Sequence, residues 1–483
     1  MATTSSISSL GVGSGLDAES IVTKLVALER QPIANLKTQA SKIQTKISEY
    51  GKIQSALSSF KDAAAALATP TLWNTTTAAS SDSSVASVST GDGALAGTYS
   101  LSVSKLASVQ SVVSNTSIRS TSTVGAGSLS IELGSWSSST PPAFSAQTGK
   151  AAVRIDIASS DTLDDIRSKI NSSGAGVSAS IVQDGSGSRL VIQSRGTGAA
   201  NGFRIQTTDS QPTTPGSPGL SMFAYDPESG SSGTTLTQTA SDASATINGI
   251  SVTSASNVLT NVLTGVTLTL NKTTGQNAIN ISVAQDKDAI SKAVNTFATS
   301  FTALATLIKN DTKYDAGTKT GGVLQGEGTA LSIQSQLRAI LSGGTGSASS
   351  FKNLSSLGLE MSSAGTLTVN QTKLSSALNN TDEMKKAFAY ASGATDAENG
   401  IAVRLRSLVG SFLDSNGALA IKTAGLNTTL KNNQNQQDRY DQRADLYEKR
   451  LRAQYTALDE KMAKISGTSN YVTQMINSLN SSK

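Results

Sequence analysis

The sequence predicts an α+β multidomain protein in which the two ends of the chain are helical and a β-rich part lies between them. Apolar residues follow a helical repeat near the start and again over the last fifty residues, 431–480. Between these repeats, a Ser/Thr/Gly-rich stretch alternates apolar and polar residues, as strands do. Because an amphipathic helix cannot bury its apolar face alone, we expect both termini to pair in a coiled-coil stalk, next to a helical-bundle domain, with β-rich head domains inserted.

The N-terminal helix is predicted to begin at Asp17, whose carboxylate can cap the first turn. Gly11 to Gly15 do not predict a dinucleotide site, because no strand precedes them. Pro32 predicts a break or a new helix start at residues 31–33. Pro70 predicts the end of this helical segment. The apolar residues that we expect to pack against a partner helix are Leu16, Ile21, Leu25, Leu28, Pro32, Leu36, Ile43 and Ile47.

The middle of the chain predicts two β-rich parts. Alternating residues in 75–113 and 246–270 predict strands of one β domain, with tight turns at Gly91–Gly93 and Asn248-Gly249. Inserted between them, residues 153–192 predict a β-α-β-β unit whose helix starts with a capping box at Thr162. Residues 211–219 contain three prolines and predict a surface loop.

Helical periodicity returns at Asp286. Ile290, Val294, Phe297, Phe301, Leu304 and Ile308 recur at steps of four and three, which indicates a heptad repeat. Shorter helices are predicted over 331–341, 373–379, 383–390 and 401–413.

The C-terminal helix carries the longest apolar stripe. Ser466 to Ser469, which include Gly467, predict an interruption before a last amphipathic segment. One chain cannot readily bury the stripes at residues 36–57, 290–308 and 440–479 without either a helical bundle or partners. The sequence therefore predicts self-association. The C-terminal residues that we expect to take part in self-association are Tyr447, Leu451, Tyr455, Leu458, Met462, Ile465, Val472, Met475 and Leu479.

Composition excludes several classes of function. The chain has no Cys and no His, which removes disulfides, the commonest metal ligands and most nucleophile–base pairs. A net charge of +5 is small for 483 residues, and residues 78–240 hold nine Lys/Arg against eleven Asp/Glu, so no nucleic-acid partner is expected. There is no signal-peptide pattern and no long apolar span, so we expect a soluble protein without membrane insertion. An exported protein that uses no cleaved signal would look the same.

The remaining candidates for catalysis are weak. Asp164 and Asp165 are adjacent and suit the first turn of a helix better than a glycosidase pair. Asp286 and Asp288 lack the further ligands that calcium requires. We therefore expect no catalytic residues, no cofactor and no bound metal.

Three separated motifs resemble the flagellar filament cap, or hook-associated protein 2, family. They are Gly13-Ser14-Gly15-Leu16-Asp17 with Leu28 to Ile33, then Leu357-Gly358-Leu359 with Gly365 to Val369, and Tyr447-Glu448 through Met462 to Ser469-Asn470-Tyr471. Residues 153–194 are similar to a short repeat of flagellins and hook-associated proteins. Two departures are small: Asn370 stands where Asp is usual, and Phe301-Thr302 where Tyr-Asn is expected.

The resemblance implies a secreted, non-enzymatic protein that forms a ring, most often a pentamer, at the tip of the extracellular filament. Its implied partners are other copies of itself, flagellin, the hook-filament junction protein, a flagellar export chaperone and the type III export apparatus. The expected domains are residues 1–40 with 432–483 (terminal coiled coil), 41–75 with 286–431 (helical stalk), 76–115 with 240–285 (inner β-rich head) and 116–239 (outer β-rich head).

Three hypotheses on function follow. The first is the cap, which would promote folding and insertion of exported flagellin. The second is a surface adhesin that binds mucin or other glycans through the β-rich head. The third, a glycan-acting enzyme, has least support, because aromatic sugar platforms are scarce beyond Trp136.

Overall fold

The computed structural model describes residues 17–210, 219–346, 348–391 and 395–481, with only the backbone at residue 479. These residues form two compact units. The helical unit contains the described residues up to Trp73 and those from Lys287 onward, and the β-rich unit is the insert Asn74–Asp286. This confirms the predicted α+β class. The predicted loop at 211–219 lies outside the described residues except for Gly219.

The helices follow the predicted order. All of them belong to the helical unit except α3, which packs in the β-rich unit. Their bounds are α1 (Ala18–Ala68), α2 (Pro70–Trp73), α3 (Leu163–Ser172), α4 (Lys287–Thr312), α5 (Gly328–Ser342), α6 (Gln371–Ala377), α7 (Thr381–Ala389), α8 (Ile401–Leu413) and α9 (Ala418–Asn480).

The predicted break at Pro32 is wrong, because α1 is one helix with Pro32 inside it. Proline removes one N–H from the helix, and this frees the carbonyl four residues earlier, at Leu28. Leu28 is exposed, so water can satisfy that carbonyl. Val26 and Ile33 are buried on either side of the proline, and their packing keeps both halves of the helix in line.

The predicted interruption at Ser466 to Ser469 is also wrong, because α9 continues to Asn480. Glycine inside a helix costs about 1 kcal/mol relative to alanine. Gly467 adopts no left-handed conformation that would end the helix. The free-energy cost of one glycine is therefore too small to end a helix of this length.

The core of the helical unit is a bundle around α1 and α4. Every predicted heptad residue of α4, from Ile290 to Ile308, is buried. Phe60 of α1 packs against Phe297 and Phe301, with ring centroids 5.2 Å and 5.5 Å apart. Further buried residues come from α5, α6, α7 and α8. The C-terminal half of α1 is therefore held by a large apolar core.

The second motif of the sequence lies in this bundle. Gly358 has φ 82°, and a Cβ built there would lie 2.6 Å from the backbone nitrogen of Leu374, so the site requires glycine. Asn370 accepts a hydrogen bond from the backbone N–H of Lys373 at 3.2 Å, so asparagine performs the capping role that aspartate would have. Thr302 bonds both the N–H and the carbonyl of Leu367, which ties α4 to the motif.

The strands of the chain are short. Their bounds are β1 (Thr76–Ser80), β2 (Ala86–Thr90), β3 (Gly97–Lys105), β4 (Ser111–Ser114), β5 (Gly127–Trp136), β6 (Phe144–Ala146), β7 (Val153–Ile157), β8 (Val177–Asp184), β9 (Gly187–Ser194), β10 (Gly202–Asp209), β11 (Tyr225–Asp226), β12 (Ser231–Ser232), β13 (Thr234–Gln238), β14 (Ala243–Ile247), β15 (Ile250–Ser254), β16 (Val258–Leu263), β17 (Val266–Leu270), β18 (Ile279–Gln285), β19 (Tyr314–Asp315), β20 (Thr320–Gly321), β21 (Leu359–Met361) and β22 (Leu367–Val369).

The β-rich unit contains two apolar cores. The first lies between a sheet of order β1-β18-β3-β14-β15 and a sheet of order β16-β17-β2, so strands from both predicted halves pair with each other. The second lies among β12-β11-β10-β5-β6, with β7 on β5, the sheet β13-β4-β9-β8, and α3. Pairs β19–β20 and β21–β22 are small hairpins of the helical unit.

Two local predictions in this unit are confirmed. Asn248 and Gly249 both have positive φ, 48° and 84°, and join β14 to β15 as a tight hairpin. Thr162 caps α3 by a reciprocal pair of hydrogen bonds with Asp165. The cap holds the pKa of the Asp165 carboxyl below its usual value, because the Thr162 hydroxyl and N–H both donate to it. The capping role fits Asp165 better than catalysis.

Candidate assembly site on the terminal helices

The candidate site is the terminal helix pair, formed by α1 from Ala18 to Tyr50 and α9 from Ile421 to Tyr455. Asp17 caps α1 by accepting a hydrogen bond from the N–H of Ser20 at 3.1 Å. The two helices run in opposite directions, since ion pairs join Glu19 to Arg452 and Arg30 to Asp441.

The apolar contact between the two helices is thin at the N-terminal end of α1. Val22 and Val26 of α1 and Leu451 of α9 are buried together. Half-buried residues at the border of this cluster are Leu25, Tyr447 and Tyr455. A cluster this small buries little apolar area, so it gives little stability by itself.

Ion pairs reinforce the contact and fix its register. Arg452 donates two hydrogen bonds to the Glu19 carboxylate, both at 2.7 Å, and one to Glu448 at 2.9 Å. The bond from Arg452 lowers the pKa of Glu19, and the same pair raises the pKa of Arg452. Because these groups are exposed, they set orientation and partner choice more than stability.

Two further pairs lie nearer the middle of the helix pair. Arg30 contacts Asp445 at 2.5 Å and Asp441 at 3.2 Å. Arg443 pairs with Glu29. These contacts join residues more than 400 positions apart in sequence. Each of them therefore connects the N-terminal helix to the C-terminal helix.

The middle of α9 carries a run of amides, residues 432–437. Asn433 is buried, and its side-chain oxygen accepts a hydrogen bond from the amide of Gln437 at 2.6 Å. A buried amide in a helix interface lowers stability but favours one register. The hydrogen bond joins two residues of α9 and satisfies the buried amide oxygen of Asn433.

A partly buried carboxylate marks the end of the pair near the bundle. Glu327, just before α5, accepts hydrogen bonds from Lys46 of α1 at 2.7 Å and contacts Lys422 of α9 at 2.6 Å. The hydroxyl of Tyr50 donates to the same carboxylate at 3.4 Å. Burial acts to raise the pKa of Glu327, but the two lysines outweigh it and hold the pKa below its usual value. Burial, aided by the Glu327 charge, raises the pKa of Tyr50 to about 12.

The structure places the predicted assembly residues at different depths. Leu451 is buried. Leu16 lies outside the described residues, as does the side chain of Leu479. Half-buried residues are Ile21, Leu25, Pro32, Leu36, Ile43, Ile47, Tyr447 and Tyr455. Exposed residues are Leu28, Leu458, Met462, Ile465, Val472 and Met475.

Sequence reasoning missed part of the contact. The buried residues near the start of α1 are Ala18, Val22, Val26 and Ile33, and the last three each lie one position after a residue of the predicted stripe. Alanine and valine are small, so a search for large apolar residues favoured Ile21, Leu25 and Leu28 instead. Glu327 was also missed, because its partners are distant in sequence and no local pattern indicates them.

Other kinds of site find no support among the described residues. Within them, no group of three or more His, Cys, Asp or Glu could hold a metal ion. No described helix is both long enough and apolar enough to cross a membrane.

Comparison with known proteins first defines the class. Residues 143–196 match the flagellin hook IN motif. Residues 14–110 and 240–467 match the families described as flagellar hook-associated protein 2 N-terminus and C-terminus. These matches place the chain in the class of bacterial flagellar proteins.

Relatives cover the whole chain. The flagellar hook-associated protein 2 of Escherichia coli K12 is 32% identical over 99% of this chain and 100% of its own length. The A-type flagellar hook-associated protein 2 of Pseudomonas aeruginosa is 28% identical over 97% of each chain. The chain belongs to the flagellar hook-associated protein 2 family, as its motifs predicted.

A solved structure agrees with this assignment. The D1-D2-D3 domains of the flagellar cap protein FliD from Escherichia coli superpose with a TM-score of 0.59 at 29% identity, covering 78% of this chain and 99% of that one. These relatives are flagellar proteins by name, and none of the names supports the adhesin hypothesis.

Proposed function

We propose that this protein caps the distal end of the flagellar filament and promotes the folding and insertion of exported flagellin there. The observation that carries the proposal is the family relationship over 99% of the chain. The terminal helix pair adds a physical reason, because its contacts are thin and one long apolar stripe stays exposed. A protein that works by assembly needs such surfaces, and it needs no catalytic residues.

Self-association is part of the proposal. Several copies form a ring, a pentamer in its most common form, and the helical termini supply most of the contact. The exposed stripe of α9 supports this view, since large apolar residues at regular helical spacing typically mark an interface. Light scattering on the intact protein tests it: a strictly monomeric protein at tens of micromolar would remove this part of the proposal.

The proposed location is outside the cell, at the filament tip. The chain would leave the cell unfolded through the flagellar type III export apparatus, after binding a dedicated export chaperone. At the filament it would contact flagellin and, before the filament grows, the hook-filament junction protein. The absence of cysteine suits this route, because no disulfide has to form outside the cell.

Replacing Leu458 and Met462 together by Asp tests the function directly. Both residues are exposed in the single chain, so the variant should fold, but two charges would prevent burial of the stripe in an assembly. In a strain that lacks the wild-type protein, we expect filament growth and swimming to be lost. Circular dichroism of the purified variant should match that of the wild type.

The matched control places the same two charges on the opposite side of α9, as Ala463→Asp with Gln474→Asp. Both residues are exposed and lie away from the stripe by helical spacing. Filaments of normal length are expected with this control. Normal filaments with the Leu458/Met462 variant would show that this stretch is not an assembly element.

A further inference from the structure

The terminal helix pair has two unlike edges. One edge is charged, and it carries the Arg30–Asp445 and Glu19–Arg452 pairs. The other edge is mixed, because Ile21, Leu25 and Leu28 follow one another at i, i+4 and i+7 on the opposite side of α1 and the Glu29–Arg443 ion pair lies beside them.

A groove runs along this mixed edge. A cavity of about 450 Å³ lies between Glu29 of α1 and Arg443, Leu446, Tyr447 and Arg450 of α9. Leu446 is 67% exposed and Leu28, next to Glu29, is 63% exposed. Large side chains this exposed on facing helices indicate an unpartnered apolar surface. We call this surface the lateral groove.

A second uncovered surface lies at the end of α9. The stripe that is buried at Ala444 and Leu451 continues without a change of register through Leu458, Met462 and Ile465, at steps of four and three. Farther on, Val472, Met475 and Ile476 are about half exposed. We call residues 458–479 the overhang.

The two surfaces match in chemistry. From Ile465 to Ser482 the chain has no charged residue, so this part of the overhang can lie against Leu446 and Tyr447 without placing a like charge beside Arg443 or Arg450. The rim of the lateral groove is basic: Arg443 pairs with Glu29, and Arg450 lies over the Tyr447 ring at 5.2 Å. The overhang adds no positive charge to this rim beyond Lys461 and Lys464 at its start. The same lack of basic residues makes an acidic membrane surface a poor partner for the overhang.

The overhang cannot reach the groove of its own chain. It continues the same unbroken helix, α9, that forms one wall of the groove. Ile465 lies about 28 Å along the helix axis from Leu446, at 1.5 Å per residue. The helix would have to break and fold back to bring them together. A second copy can bring its overhang to the groove without any such change.

We infer that the overhang of one copy docks in the lateral groove of the next. This contact extends the packing already present between α9 and α1, and it covers both uncovered surfaces at once. Pairing of two overhangs with each other would leave Leu28 and Leu446 exposed. The contact joins two different surfaces, so repeated copies form a ring when the rotation closes. The inference rests on the proposed self-association and adds to it which surfaces meet.

The absence of cysteine from the chain allows a direct test by disulfide cross-linking. Chains with Leu446→Cys are mixed with chains that carry one cysteine in the overhang, at Ile465, Val472 or Ile476 in turn. All four positions are exposed, so the substitutions should leave the fold intact. Under mild oxidation we expect at least one mixture to give mainly the mixed dimer, identified by mass spectrometry.

Ile421→Cys replaces Leu446→Cys in the control mixtures. It lies on the same helix and is equally exposed, at 65%, but away from the groove. Mixed dimers with Ile421 as abundant as those with Leu446 would overturn the inference. So would a predominance of overhang-to-overhang dimers.

Light scattering on the same samples separates this inference from the proposed ring. Oligomers that form without any Leu446 cross-link would overturn the docking, while the ring would stand. A monomeric wild-type protein would remove both.

Discussion

The two halves of α1 are one helix, yet they are held in place by different forces. From Tyr50 to Ala68 the helix is held by a large apolar core, in which Ile53, Leu57 and Phe60 are completely buried. From Ala18 to Ile33 it is held by a few small side chains and a set of exposed ion pairs. Apolar burial supplies most of the folding free energy, and exposed ion pairs supply little. The half from Tyr50 to Ala68 is therefore held in place much more strongly than the half from Ala18 to Ile33.

This difference separates folding from assembly within one helix. The bundle half is part of the large apolar core of the helical unit. The terminal half is held by fewer contacts, and Leu28 on it and Leu446 on the facing part of α9 are exposed. Weakly held elements are the ones that can reorganise at low cost in free energy when a partner arrives.

The largest expected effect is in the bundle. Phe60→Ala removes a fully buried ring that packs on Phe297 and Phe301, and we expect it to destabilise the helical unit by about 3–5 kcal/mol. Leu28→Ala on the terminal half of the same helix should cost about 0.5 kcal/mol or less. Denaturant unfolding followed by circular dichroism measures both. Equal losses of unfolding free energy in the two variants would contradict the difference between the two halves of α1.

A smaller effect is expected where the two halves meet. Glu327→Gln keeps the shape of the side chain but removes the charge that Lys46 and Lys422 share, and we expect a loss of about 1.5–3 kcal/mol at pH 7. Glu360→Gln is the matched control. Its exposed carboxylate has a single lysine partner, Lys373, so its loss should be slight.

The Glu327 effect should depend on pH. Its folded pKa lies below the usual 4.5, so the charged form stabilises the folded state above pH 4.5. That contribution disappears as the pH falls through the folded value. Thermal unfolding curves of wild type and Glu327→Gln should therefore converge below pH 4.5. A constant difference down to pH 3 would show that the charge is not the cause.

Much of the fold could be predicted from sequence because its signals are local. The heptad of α4 from Ile290 to Ile308, the hairpin at Asn248-Gly249 and the cap at Thr162 each lie within a few turns or residues. The two wrong breaks have the same origin. At Pro32 and Gly467, a local penalty was weighed without the helix on either side, and long-range packing or sheer helix length outweighed it.

The site was predicted less fully than the fold. Leu451, a predicted assembly residue, is buried with Val22 and Val26, which the prediction missed because their apolar signal is weak. The pairs Glu19–Arg452 and Lys46–Glu327 join distant residues, and nothing in the neighbouring sequence marks them. The exposure of Leu458 and Met462 was not predicted, because the pattern of one helix does not determine which of its residues a second helix covers. The division into four domains remains a prediction.

Hydrogen exchange with mass spectrometry on the free, dilute protein tests most directly whether the terminal half is weakly held. We expect amides of α1 from Tyr50 to Ala68 and of α4 to be the most protected, those of 20–33 and 441–455 to exchange much faster, and those of 458–478 fastest of all. At a concentration where the protein self-associates, the last two groups should gain protection while the bundle stays unchanged. Protection in the dilute protein that is uniform along α1 and α9 would contradict this account, since the termini would then be stably folded on their own chain.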